Sequence, residues 1–114
     1  MTIPSARGTV LVVDDVAENI TVLAGILRGF HRVIFASSGA AALDLVRQQS
    51  VDLILLDVMM PEMSGHEVCR RLKADILTRE IPVIFVTTLG EAADEASGLE
   101  LGAVDYIHKP CHAA

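Results

Sequence analysis

Three short apolar runs in this chain each end in a charged side chain. VLVV ends at Asp14-Asp15, LILL ends at Asp57, and VDYIH ends at Lys109-Pro110. Apolar runs of this length bounded by turn signals read as strands buried on both faces. In a parallel sheet the C-terminal strand ends lie together, and ligands bind in the crevice there. Three acids and one lysine, far apart in sequence, are therefore expected to meet at one place. Clustered carboxylates repel one another unless a hard cation sits among them. A lysine beside them can balance charge added to one of the acids. The chemistry such a set suits is binding of Mg²⁺ together with a phosphoryl group.

The elements that must position these residues alternate in type. Residues 9–14 (TVLVVD) read as the first strand. Val16, Ile20, Leu23, Ile26 and Leu27 recur at helical spacing, and Gly29 closes that helix. Residues 32–36 (RVIFA) read as a second strand, and Ser38 as the N-cap of a helix through about Gln48 with Ala41, Ala42, Leu45 and Val46 facing inward. Residues 52–57 (DLILLD) form the third strand, followed by a loop punctuated by Pro61 and Gly65. The next helix turns Val68, Cys69 and Leu72 inward and Arg70, Arg71 and Lys73 toward water. Residues 82–87 (PVIFVT) form the fourth strand, and a fourth helix is expected over 91–101. Gly102 permits the turn into a short last strand over 104–107. The order (βα)₄β favours a parallel sheet flanked by helices. Residues 1–8 read as an N-terminal tail and 9–114 as one domain, with no internal repeat or linker.

In this order and spacing the residues resemble the receiver domain of two-component response regulators. The pieces are Asp14-Asp15, the stretch DVMMPEMSG from Asp57 to Gly65, Thr87, and Tyr106 followed by Lys109-Pro110. The resemblance covers nearly the whole chain, residues 9–110. It implies a doubly wound, (βα)₅-type, flavodoxin-like α/β fold with a parallel five-stranded sheet in the order 2-1-3-4-5. It also implies a fifth helix after Lys109-Pro110. Only Cys111-His112-Ala113-Ala114 follow, so the last helix is expected to be missing or truncated.

The resemblance assigns roles. Asp57 would be the phosphoacceptor, attacking the phosphorus of a phosphohistidine or a small phosphodonor. Asp15 and Asp57 would hold Mg²⁺ directly, Asp14 through water, with the backbone carbonyl of Met59 completing the protein ligands. Lys109 would pair with Asp57 and then with a phosphoryl oxygen, and the Lys109–Pro110 peptide would be cis. Thr87 would donate its hydroxyl to another phosphoryl oxygen. Tyr106 would move inward as Thr87 moves, changing the surface of helix four and strand five. The implied partners are a histidine kinase or phosphotransfer protein, and an output domain or partner protein outside this chain. DVMMPEMSGHEVCRRLKAD and ELGAVDYIHKP resemble receivers attached to cyclic-di-GMP enzymes or to hybrid histidine kinases.

Some positions depart from the family pattern or carry no evident chemistry. Thr88 stands where alanine or glycine is usual, and its bulk would narrow phosphodonor access. Met59 and Leu89 flank the phosphorylation position, and both are apolar, so neither can orient a water. Slow loss of phosphate is expected. Met59, Met60 and Met63 read as loop packing. His31, His66, His108 and His112 have no metal-ligand spacing and read as surface or turn residues. Cys69 reads as core. Glu91, Asp94, Glu95 and Glu100 give helix four an acidic face with no Lys or Arg, read as solvated or as a charged docking surface.

Composition bounds the function. A chain of 114 residues makes one domain with a real core, and its apolar content argues against disorder. A net charge of −6 leaves no basic patch for direct nucleic-acid binding. No stretch approaches the roughly 18 apolar residues that span a bilayer, so no membrane role is expected. The N-terminus MTIPSARGT has no apolar signal core, and Cys69 and Cys111 have no redox or metal spacing, so a cytoplasmic setting is expected. The leading reading is a phosphorylation-controlled signalling switch that catalyses only its own phosphorylation and dephosphorylation. A Mg²⁺-dependent phosphohydrolase with an aspartate nucleophile would need an acid where Met59 stands, and a cap segment. A dinucleotide-binding domain would need a glycine-rich turn where Asp14-Asp15-Val16 stands. A phosphorylation-independent interaction module would normally lack one of the acids or the lysine, and all are present.

Overall fold

The structure is a computed structural model that describes residues 8–29, 31–88 and 105–109, with Thr87, Thr88 and 105–109 described through the backbone alone. The expected fourth helix lies outside the described residues, as do residues 1–7, Leu89, Gly102 and residues 110–114. The elements run β1 (Thr9–Val13), α1 (Ala17–Leu27), β2 (Arg32–Ala36), α2 (Gly39–Gln48), β3 (Leu53–Asp57), α3 (Gly65–Ala74), β4 (Val83–Thr88) and β5 (Asp105–Lys109). All strand pairs are parallel, in the order β2-β1-β3-β4-β5. This is the expected flavodoxin-like arrangement.

The sheet is central because its middle strands are apolar on both faces. β1 is buried at every position, and β3 at all but its first. Alternate residues divide between two cores, as the two-residue strand period requires. Leu11, Val13, Ile54, Leu56, Val83 and Phe85 face α2 and α3, where Ala42, Val68, Cys69 and Leu72 meet them. Val10, Val12, Leu55 and Val86 face the other way, onto Ile20 and Leu23 of α1.

Each helix start is fixed by a local bond. The hydroxyl of Ser38 accepts from the Ala41 N–H, and that of Ser64 from the Glu67 N–H, both at 3.2 Å. α1 has no side-chain bond from its cap residue Val16. Its entry is held instead by the Asp14 carboxylate, which accepts from the Val16 N–H at 2.9 Å.

Several expectations shift. In α1 the buried residues are Ile20, Leu23 and Ala24, while Val16 and Ile26 are exposed. Lys73 does not simply point to water. Its ammonium donates to the carbonyls of Arg79 and Ile81, while the Thr78 hydroxyl donates to that of Leu72. Together they cap the end of α3 and fix the turn into β4. The last strand runs to Lys109 rather than ending at Ile107.

Candidate functional site

The sheet delivers the acids to its C-terminal edge. Val13 pairs with both Ala36 and Leu56, so the residue after β1 lies beside the end of β3. Asp57 closes β3 opposite Val86. Asp14, Asp15 and Asp57 each place a carboxylate oxygen within 4.8 Å of the others. Asp14 and Asp57 are buried, 1% and 4% exposed, and Asp15 is open to solvent. Two buried acids beside a third form an unfavourable set for a bare protein. Their hard oxygen donors, with one side open, suit a divalent cation such as Mg²⁺ that keeps part of its water shell.

The other sequence-predicted residues are placed by backbone register. β4 and β5 pair Phe85 with Tyr106, Thr87 with His108, and Thr88 with Lys109. Thr87 thus follows the partner of Asp57 by one residue, and Lys109 ends the neighbouring strand at the same edge. The side chains of Thr87, Tyr106 and Lys109 lie outside the described part.

The loop after Asp57 is closed by Gly65. Its N–H donates to the Val58 carbonyl at 2.8 Å. A Cβ at Gly65 would collide with the carbonyl oxygen of Asp57 itself. Only glycine lets the first turn of α3 approach the backbone of the candidate phosphoacceptor this closely. Inside this loop Glu62 adopts φ 69°, and the Met63 N–H bonds the Pro61 carbonyl at 2.7 Å. Met60 and Met63 pack against the α2/α3 core as expected, whereas Met59 is 63% exposed and belongs to neither core cluster of the described residues.

In the amino-acid sequence Gly65 reads only as loop punctuation. The signal available was a glycine directly after the Ser64 cap, where a side chain is usual. His66 also differs from expectation. It is half-buried, with its ring edge against Phe85 at 5.0 Å between centroids and 84° between planes. Cys69 is core, and burial pushes its thiol pKa up. On the outer face of α3, Arg70 and Arg71 both bond the Glu67 carboxylate and hold its pKa down at about 2.

A parallel sheet in this order, with acids gathered at its C-terminal edge, defines a flavodoxin-like α/β domain with a candidate cation site. The chain matches the response regulator receiver domain family over residues 10–114, and it belongs to that family. It is 47% identical over 102 residues to a probable cyclic di-GMP phosphodiesterase of Vibrio cholerae, covering 90% of this chain and 23% of that protein. A putative response regulator from Chloroflexus aurantiacus has a similar structure, with TM-score 0.88 and 33% identity over 93% of this chain and 88% of that one. The receiver domain of a sensor histidine kinase from Pseudomonas aeruginosa, with a magnesium ion coordinated in its active-site cleft, gives TM-score 0.83 and 30% identity over 94% and 88%. The chain is thus a receiver domain of phosphorelay signalling. No described helix is long and apolar enough to cross a membrane.

Proposed function

We propose that this domain is a switch set by phosphorylation of Asp57. The observation that carries the reading is the cluster of Asp14, Asp15 and Asp57 at the end of β1 and β3. The Asp57 carboxylate attacks phosphorus, an O–P bond forms, and the bond from phosphorus to the donor nitrogen or oxygen breaks. Asp14, Asp15, Asp57 and the Met59 carbonyl would hold Mg²⁺, which neutralises the clustered charge when bound. Lys109 pairs with Asp57 and then with the phosphoryl group. Thr87 donates its hydroxyl to a phosphoryl oxygen, and Tyr106 follows it inward. A local charge event thereby biases the surface beside β5. The donor is a histidine kinase or phosphotransfer protein, and the readout is an output domain or partner protein. The relative named as a probable phosphodiesterase supports an output of the cyclic-di-GMP kind. Membership of a signalling family supports the absence of any activity beyond self-phosphorylation and dephosphorylation, and a cytoplasmic setting.

The test is incubation with Mg²⁺ and acetyl phosphate, then mapping by mass spectrometry. Modification is expected at Asp57 alone and is abolished in Asp57→Ala. Modification that persists in that variant, at Asp14 for instance, removes the assignment.

A further inference from the structure

Met59 is the exposed methionine of the Asp57 loop. Its side chain is 63% exposed, whereas those of Met60 and Met63 lie against the α2/α3 core. It stands two residues beyond Asp57, in a loop whose path is pinned by the bond from Gly65 to Val58. An accessible thioether therefore stands in the loop that directly follows the candidate phosphorylation site. We propose that Met59 is a site of reversible methionine oxidation, and that its sulfoxide shortens the life of the phosphoryl group on Asp57. The second half of this proposal rests on the function given above.

The chemistry needs a two-electron peroxide-class oxidant such as hydrogen peroxide. A sulfur lone pair attacks one peroxide oxygen, the O–O bond breaks, an S–O bond forms and water leaves. Sulfur loses two electrons and the peroxide gains them. Thiol-dependent methionine sulfoxide reductases return the thioether and release water. Selectivity follows from access. Met60 and Met63 are covered in part by core side chains. Cys69 is fully buried with its thiol pKa raised, which disfavours the reactive thiolate.

The consequence follows from polarity. A thioether is a weak hydrogen-bond acceptor and holds no water in place. A sulfoxide oxygen is a strong one, introduced into the same loop. It can accept from a water whose oxygen attacks phosphorus, while the P–O bond to Asp57 breaks and the carboxylate leaves. The water's proton passes to solvent. Oxidation would thus supply, reversibly, the polar group that Met59 denies this position.

The experiment treats the chain with hydrogen peroxide and assigns each added oxygen by fragment-ion mass spectrometry. The oxidised and untreated proteins are then loaded with acetyl phosphate and Mg²⁺, and decay is followed after donor removal. Met59 is expected to oxidise several-fold faster than Met60 and Met63. Decay should quicken by about three- to tenfold, below the ~100-fold of a positioned general base, and a sulfoxide reductase should restore the original rate. Met59→Leu should decay at one rate with and without peroxide. Equal oxidation of the three methionines overturns the proposal. So does an unchanged decay in protein carrying the Met59 sulfoxide, or an equal acceleration in Met59→Leu. If untreated protein takes no phosphoryl group on Asp57, the proposed function falls and this inference with it, a failure visible before any peroxide is added.

Discussion

At the scale of the residue, the site is a balance of like charges. Asp14 is buried and already bonds the Val16 N–H, so it also serves as the hinge into α1. Asp15 is the exposed member and bonds no described partner of this kind. Its charge is the one most free to meet an ion arriving from water. Asp15→Asn is therefore expected to weaken Mg²⁺ binding by tenfold or more, about 1.4 kcal/mol, with little change in folding. Titration of the ion while following backbone chemical shifts near Met59 checks this, and equal affinity in the two proteins would contradict the assignment. These acids are legible in the sequence because they stand at the C-terminal ends of apolar strands. The role of Gly65 is not, since a close backbone approach leaves no periodicity to read.

At the scale of the element, α3 is where local rules and site geometry meet. Ser64 caps it, Gly65 opens it against Asp57, and Val68, Cys69 and Leu72 bury its inner face. Gly65→Ala would drive a methyl group into the Asp57 carbonyl, so the loop must shift. A loss of about 1–3 kcal/mol is expected, the range for overpacking, with Mg²⁺ affinity falling alongside because the Met59 carbonyl lies in the displaced loop. Chemical denaturation and metal titration of one preparation check both, and an unchanged affinity would detach the loop from the site. The outer face of α3 makes a pH prediction. Bonds from Arg70 first and Arg71 second hold the Glu67 pKa at about 2, below its ordinary 4.5. A carboxylate depressed in the folded state contributes stability above about pH 4.5 and loses it as pH falls toward 2. The pair is on the surface, so the effect on stability is small. The carboxyl resonance of Glu67 should titrate near 2 and move up in Arg70→Ala, and a wild-type midpoint near 4.5 would show the two arginines to be solvated instead. The ends of elements were the least legible part. Lys73 fits a polar helix face by spacing, yet it reaches forward to carbonyls in the following turn, a contact that depends on where that turn folds back.

At the scale of the whole molecule, the apolar runs sufficed to give the sheet. Strands buried on both faces read as continuous hydrophobic stretches; β1 and β3 are of that kind, and Val83, Phe85 and Val86 of β4 are buried likewise. β2 and β5 are the edges of the sheet; β2 keeps the bounds its sequence predicts, whereas β5 begins one residue later and runs on to Lys109. The same architecture that covers the sheet also buries Asp14 and Asp57 near one another, so part of the folding energy is opposed by charge at the site. Any ion that binds the folded cluster and not the unfolded chain must stabilise the fold. At a Mg²⁺ concentration ten times its dissociation constant the gain is about 1.4 kcal/mol. For a domain of this size each kcal/mol moves the Tm by roughly 3–6 °C. Mg²⁺ is therefore expected to raise the Tm by about 4–8 °C. Asp57→Asn removes a buried charge while keeping the side-chain volume, so in chelator it should melt above the wild type and should lose most of the Mg²⁺-dependent rise. Calorimetry of both proteins with Mg²⁺ and with chelator measures this. If Asp57→Asn melts below the wild type in chelator, its carboxylate is held by hydrogen bonds that outweigh the repulsion, and the three acids are not the strained cluster that their burial implies.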